Sequence, residues 1–336
     1  MTLELLVLAA VAAIAGATAV SRRIGVAAPL VLVLLGVAVG FLPVTPRFEI
    51  APDLILMGVL PPLLYSAAVS MPAMDFRRDL NAISGLSIVL VVISAVGVGA
   101  LLAALVPGIG LARGIAVGAI LSPTDAVATS IVRRAGAPHR VVTVLEGESL
   151  FNDASALVAL RTALAATAAS VSAWGVVGEF AMSVGIAVVF GIAVGQVGLR
   201  VQGRAADPAV CTAVSFLIPF VAYLPVEHVG ASGLVAVVAA GLVTGHGAPR
   251  FVEPRNRMAQ EQNWRTVEFL LEGAVFLGMG LQVASLIEDV ESDGGSLGAT
   301  VGVAALAGAA VLVIRAAYLT PLLGLLSHSA KRQMER

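Results

Sequence analysis

Apolar runs of helix length alternate with short polar breaks from one end of the chain to the other. The pattern predicts eleven helices, at about residues 2–20, 26–43, 53–70, 81–106, 111–133, 141–167, 174–199, 209–224, 229–246, 266–288 and 298–326. Most approach or exceed the roughly 20 residues needed to cross a bilayer's hydrocarbon core. The eighth run is short, and Pro219 and Pro225 could join it to the ninth, so ten or twelve helices also fit the pattern. The first run is followed, not preceded, by Arg22 and Arg23, and it carries Glu4 near its start. That charge order suits a membrane helix better than a cleaved leader, despite the small residues Ala15, Gly16 and Ala17.

Composition strengthens this reading. Of 336 residues, 59% are hydrophobic and 12% charged, against about 25% charged in a soluble domain. No single water-soluble core could cover so much apolar surface, so lipid is the expected solvent and the fold class is an all-α polytopic membrane protein. A net charge of −1 gives no basic field for nucleic acid. The single Cys211 forms no internal disulfide, and His and Cys show no metal-ligand spacing.

Orientation follows from the basic residues. With the N-terminus outside and successive loops alternating, the inner side receives Arg22, Arg23, Arg77, Arg78, Arg133, Arg134, Arg140, Arg200, Arg204, Arg250, Arg255, Arg257, Arg265, Lys331, Arg332 and Arg336. These are 16 of the 20 Lys and Arg residues, and only Arg47 and Arg113 fall outside. The remaining two, Arg161 and Arg315, lie within apolar runs. A miscounted helix would scramble this division. The expected location is a cell membrane, with the C-terminus cytoplasmic.

Charge at membrane depth is costly, about 2.5–3.5 kcal/mol on insertion scales, and it calls for a partner or water. The midpoints of three spans bring such groups to similar depth. The fifth is centred near Ser122, beside Pro123, Thr124 and Asp125; the sixth at Ala154, beside Asn152 and Asp153; the eleventh near Leu312, one turn from Arg315. Pro123 removes a backbone donor and should break or unwind its helix. Unwound carbonyls and half-helix ends at the midplane are a means of holding ions. On the sixth span, Glu148 with Asn152 and Ser149 with Asp153 form i,i+4 rows on adjacent faces. They offer hard oxygen ligands for Na⁺, Li⁺ or H₃O⁺. Arg315 cannot shed its proton and needs an anion, with Glu148, Asp153 and Asp125 as candidates by depth. Glu146, Glu268 and Glu272 are expected at most to line an entrance, and Arg161 to snorkel outward. The glycines of Leu277–Leu281 suit close helix packing, not a phosphate loop.

Taken together, Leu60–Tyr65 (Leu-Pro-Pro-Leu-Leu-Tyr), Ser122–Asp125 (Ser-Pro-Thr-Asp), Glu148–Asp153 (Glu-Ser-Leu-Phe-Asn-Asp) and the late Arg315 resemble the monovalent cation:proton antiporters of the first class, the sodium/proton exchangers. The resemblance implies two inverted repeats with crossed, unwound central helices, and a homodimer working by an elevator-like movement. It implies a dimerisation scaffold over residues 1–80 and 174–290 and an ion-translocating core over 81–173 and 291–336. By position, Asp153 is the exchanging carboxylate, Asn152 its structural neighbour, and Ser149 and Thr124 cation ligands. Asp125 is an unwound-helix contact, and Glu148 with Arg315 is a structural ion pair. An Asn-Asp pair resembles the electroneutral branch, with one proton per cation. The implied partners are Na⁺ or Li⁺, protons and the bilayer, with no cofactor and no enzymatic reaction.

Two departures stand out. Relatives often carry a Glu shortly after Leu-Pro-Pro, where this chain has Ser66, a neutral oxygen that leaves K⁺ as an alternative cation. The family pattern also continues beyond Arg315 with two more helices, so a chain ending at Arg336 is expected to need those helices from another polypeptide. Two rival classes predict different behaviour. An intramembrane aspartyl protease built on Asp125 and Asp153 gives Arg315 no role, and a cation channel passes current without proton coupling.

Overall fold

In a computed structural model the chain is described over residues 3–42, 51–123, 132, 136–137, 139–168, 173–292 and 294–334. Among the described residues every regular element is helical. In chain order they are α1 (Leu3–Ile24), α2 (Ala28–Gly40), α3 (Leu54–Ser70), α4 (73–105), α5 (Gly110–Leu121) and α6 (His139–Ala168). There follow α7 (Ala173–Gln202), α8 (Pro208–His228), α9 (Gly233–Phe251), α10 (Pro254–Ser292) and α11 (Leu297–Met334). Seven of these contain a stretch long and apolar enough to span a membrane. Large apolar side chains such as Leu8, Leu34, Val189 and Leu217 point outward, at 61–71% exposure. Such a surface suits lipid contact.

The chain divides into two compact units. The first comprises Met1–Asp75, Val127–Thr143 and Met182–Leu297; the second comprises Phe76–Ala126, Val144–Ala181 and Gly298–Arg336. In the first, Ile14 and Ala17 of α1, Leu32 of α2 and Leu277 of α10 form a buried apolar cluster. In the second, Val98 and Leu102 of α4 pack on Ala307 of α11.

Local chemistry explains several boundaries. Asp207 caps α8, accepting from the Ala209 N–H at 2.8 Å, while Pro208 occupies a position where a missing N–H costs nothing. The helix then continues through Pro219 and Pro225 to His228, and the break before α9 falls after both prolines. In α3 the turn Leu54–Val59 widens into a π-helix, with the Leu60 N–H reaching back to Ile55 O. Pro61 and Pro62 follow at once, and the wider turn accommodates the donors and space that prolines remove. A second π-helical stretch, Gly85–Leu90, lies inside α4. Helix α5 stops at Leu121, two residues before Pro123, and the Ser122 hydroxyl donates to Ala119 O at 2.9 Å.

The largest boundary difference concerns the tenth span. Hydropathy starts it at residue 266, but α10 begins at Pro254. Its polar first turns find partners inside the first unit. Asn256 donates to Ala205 O (3.1 Å), Gln260 to Gln202 Oε1 and Cys211 O (both 3.0 Å), and the Trp264 indole to Ser215 Oγ (3.1 Å). Polar groups that find hydrogen-bond partners can be buried, and a sequence that reads as a solvated loop becomes an interior helix face.

Small residues set the closest crossings. Gly36 of α2 and Gly280 of α10 face each other so tightly that a Cβ on either would strike the other's backbone. Gly114 and Gly118 of α5 meet Gly99 and Ala95 of α4 in the same manner, and Gly241 and Gly245 of α9 meet Tyr65 and Val69 of α3. These spacings bring backbones together where lipid offers no hydrophobic drive for helix association. Gly280→Val should therefore destabilise the protein by at least the ~1–3 kcal/mol typical of overpacking. A Cβ on Gly302 of α11 would meet nothing within 4 Å. Gly302→Ala should be neutral or slightly stabilising. Melting of both variants in detergent checks the contrast; equal behaviour would show that the crossing has slack.

Candidate functional site

In the second unit, α6 carries the candidate residues Glu148, Ser149, Asn152 and Asp153. Its Glu148–Asn152 row is sealed from solvent, each residue at 1% exposure, whereas the neighbouring Ser149–Asp153 row is only half-buried. A helix puts residues four apart on one face, so the two rows lie side by side, one closed and one partly open. Glu146, one turn earlier than Leu150, is also half-buried.

Arg315 of α11 reaches this helix. One guanidinium nitrogen lies 2.7 Å from Glu148 Oε1 and 2.8 Å from Oε2. Side-chain exposures of 17% and 2% mark the pair as desolvated. Burying two charges is repaid only when geometry is good and each satisfies the other. Of the three carboxylates open to Arg315 by depth, the structure joins it to Glu148.

Two further side chains tie this region together. Ser87, fully buried in the π-helical stretch of α4, donates to the Glu148 carbonyl at 3.3 Å. Tyr318, three residues beyond Arg315, donates to Gly85 O at 3.2 Å. Neither stood out in the sequence, because a serine and a tyrosine in apolar helices carry no charge signal. Asp79 was missed for another reason: it falls between the predicted spans 53–70 and 81–106, where a charge needs no buried partner. In the structure Asp79 is 2% exposed, bonded by Arg78 at 3.1 Å, at a kink where its backbone leaves helical geometry.

Thr124 and Asp125 lie outside the described residues. Ser66 belongs to the first unit, on α3, where it is buried and lies beside the Glu268 side chain. Because α10 starts at Pro254, Glu268 stands about four turns into the helix. The structure thus sets a carboxylate from another helix beside the serine. Next to Ser66, Tyr65 is 2% exposed; its hydroxyl lies against Thr244 and Gln202, and its ring lies 5.3 Å from that of Trp264.

Comparison with known proteins places this geometry in context. The family model described as "Sodium/hydrogen exchanger, transmembrane" matches residues 7–335. The Na⁺/H⁺ exchanger YjcE of Escherichia coli, itself uncharacterised, is 38% identical over 274 residues, covering 76% of this chain and 49% of that protein. A sodium, potassium, lithium and rubidium/H⁺ antiporter of Bacillus subtilis is 32% identical over 304 residues, covering 87% and 45%. The chain therefore spans about half the length of these relatives. Among solved structures, the sodium proton antiporter MjNhaP1 of Methanocaldococcus jannaschii superposes with a TM-score of 0.71 at 20% identity, covering 92% of this chain and 77% of that one. That likeness establishes the fold. With a family match along nearly its whole length and the same helical architecture, the chain belongs to the sodium/hydrogen exchanger family of membrane transporters.

Proposed function

We propose that the protein is an electroneutral Na⁺(Li⁺)/H⁺ antiporter in which Asp153 binds either a cation or a proton and is exposed to each side of the membrane in turn. The observation that carries this reading is the contrast between the two rows of α6. Glu148, fully buried, spends its charge on Arg315, while Asp153 and Ser149 stand half-open beside it. A half-exposed carboxylate and hydroxyl suit the exchange of small hard cations, whereas a sealed ion pair suits scaffolding. Thr124 and Asp125 are proposed to complete the ligand set and Asn152 to position Asp153. Ser66, with Glu268 beside it, would tune cation preference from the first unit.

The same reading assigns the first unit to dimerisation and scaffolding and the second to ion translocation. The working form is a homodimer in a cell membrane, with the N-terminus outside and the C-terminus cytoplasmic. A reading with K⁺ as the cation is favoured by one specific observation, the potassium in the printed name of the Bacillus subtilis relative. A protease built on Asp125 and Asp153 leaves the Arg315–Glu148 pair without purpose.

The test uses everted membrane vesicles from an exchanger-deficient host that makes the protein, with an imposed pH gradient and Na⁺, Li⁺ or K⁺ added. Electroneutral antiport predicts that Na⁺ and Li⁺ dissipate the gradient, with no dependence on membrane potential. Dissipation by K⁺ alone would move the assignment to a K⁺/H⁺ exchanger. Current without proton movement would make the protein a channel.

A further inference from the structure

Three contacts of the second unit close into a ring. Arg315 holds the Glu148 side chain; Ser87 holds the Glu148 main-chain carbonyl; Gly85 shares the π-helical stretch with Ser87; and Tyr318 holds the Gly85 carbonyl. Tyr318 and Arg315 are one turn apart on α11, so the ring returns to its start. Around it α11 turns one face inward: Val311, Ile314, Arg315 and Tyr318 are half-buried, while Leu312, Val313, Ala316 and Ala317 are exposed. Gly85 is the only residue type that leaves full room for the tyrosine, since a Cβ there would sit 3.2 Å from the Tyr318 hydroxyl.

The π-helical stretch directs the serine. Across Gly85–Leu90, Leu86, Ser87 and Leu90 are buried whereas Ile88 and Val89 face outward. Such widened turns recur at functional sites, where they re-aim a side chain within a continuous helix. Here the re-aimed hydroxyl meets the carbonyl of the peptide between Glu148 and Ser149. Asn152 and Asp153 follow one turn later on α6. Anchoring that carbonyl therefore fixes both the rotation and the height of the turn that carries them.

We propose that Ser87 and Tyr318 are positioning residues for cation binding, acting together through the π-helical stretch to hold α6 in register with the Arg315–Glu148 pair. This rests on the exchanger reading above, in which Asp153 and Ser149 meet the cation. Neither residue touches that cation. Each acts by keeping the ligands where the cation needs them, so loosening the ring should weaken binding more than it slows the transport cycle.

Tyr318→Phe and Ser87→Ala remove one hydroxyl each with almost no change in shape. In the vesicle assay each should raise the half-saturating Na⁺ concentration about fivefold, the loss expected for one hydrogen bond, with the maximal rate within about twofold. Because a ring opened once is already open, the double variant should bind no worse than the weaker single one. Unchanged half-saturation, with only a lower maximal rate or a lower melting temperature, would reduce the contacts to packing. Additive losses in the double variant would also overturn the proposal, because they would show two independent contacts. The purified protein supplies a readout free of transport, the Na⁺ concentration that half-maximally raises its melting temperature. If wild-type vesicles exchange nothing, the antiporter reading fails by itself. The ring stands or falls on whether the two substitutions move that midpoint.

Discussion

Asp153→Asn should reduce cation-driven proton movement to the level of vesicles lacking the protein, while the protein still folds and melts near the wild-type temperature. Asparagine matches aspartate in size, so the half-open position on α6 keeps its shape. What disappears is the capacity to alternate between a bound proton and a bound cation. An amide carries neither the charge that attracts Na⁺ nor a proton that can leave near neutral pH. Glu148 cannot substitute, because it is sealed at 1% exposure and occupied by Arg315. Transport and melting are to be measured on one preparation. Full exchange by a well-folded Asn variant would remove Asp153 from the centre of the mechanism.

The second large effect is on stability. Glu148→Ala and Arg315→Ala should each destabilise the protein by about 3–5 kcal/mol, because each leaves the opposite charge buried without its partner. The Arg315 side chain is 17% exposed and that of Glu148 2%, so water can offer little compensation to either survivor. The double variant Glu148→Ala with Arg315→Ala leaves no orphaned charge and should recover part of the loss. Thermal melts of the four proteins in one detergent close the cycle. Losses that simply add would contradict a pair joined at 2.7–2.8 Å. The contrast with Asp153→Asn is itself informative, since one row of α6 should govern transport and the other stability.

Much of this organisation was legible in the sequence, for reasons that can be named. Among the described residues each apolar run corresponds to one helix because, in lipid, hydropathy and helix are nearly the same statement: a spanning backbone must satisfy its own hydrogen bonds. Arg315 announced a buried anion because arginine stays charged. Depth alone could not choose among Glu148, Asp153 and Asp125, since that choice depends on which faces of α6 and α11 meet. The polar start of α10 misled hydropathy, because Asn256, Gln260 and Trp264 bond across to Ala205, Gln202, Cys211 and Ser215, residues remote in sequence. The π-helical stretch at Gly85–Leu90 has no composition signal. It is visible only through the partners Ser87 and Tyr318 acquire in three dimensions. Glu268 was legible as a charge but not as a neighbour of Ser66, for the same reason.

The glycine crossings also constrain how the protein can move. Consider α2 and α10 sliding past each other by one residue. The step is about 1.5 Å of rise with a rotation of about 100°. It would carry the side chain of Met279 or Leu281 to the place where Gly280 now lies against Gly36 and Val37. A side chain cannot enter a space with no room for one methyl group, so this pair has a single register. The same holds for α4 with α5, through Gly114 and Gly118, and for α3 with α9, through Gly241 and Gly245. Each seam converts two helices into one lever. Shear within a pair is forbidden, and any displacement of one member has to carry the other with it. In kinematic terms the protein has fewer moving bodies than helices. On the antiporter reading proposed above, a transport stroke would be composed of the motions of such welded pairs and of the turns between them.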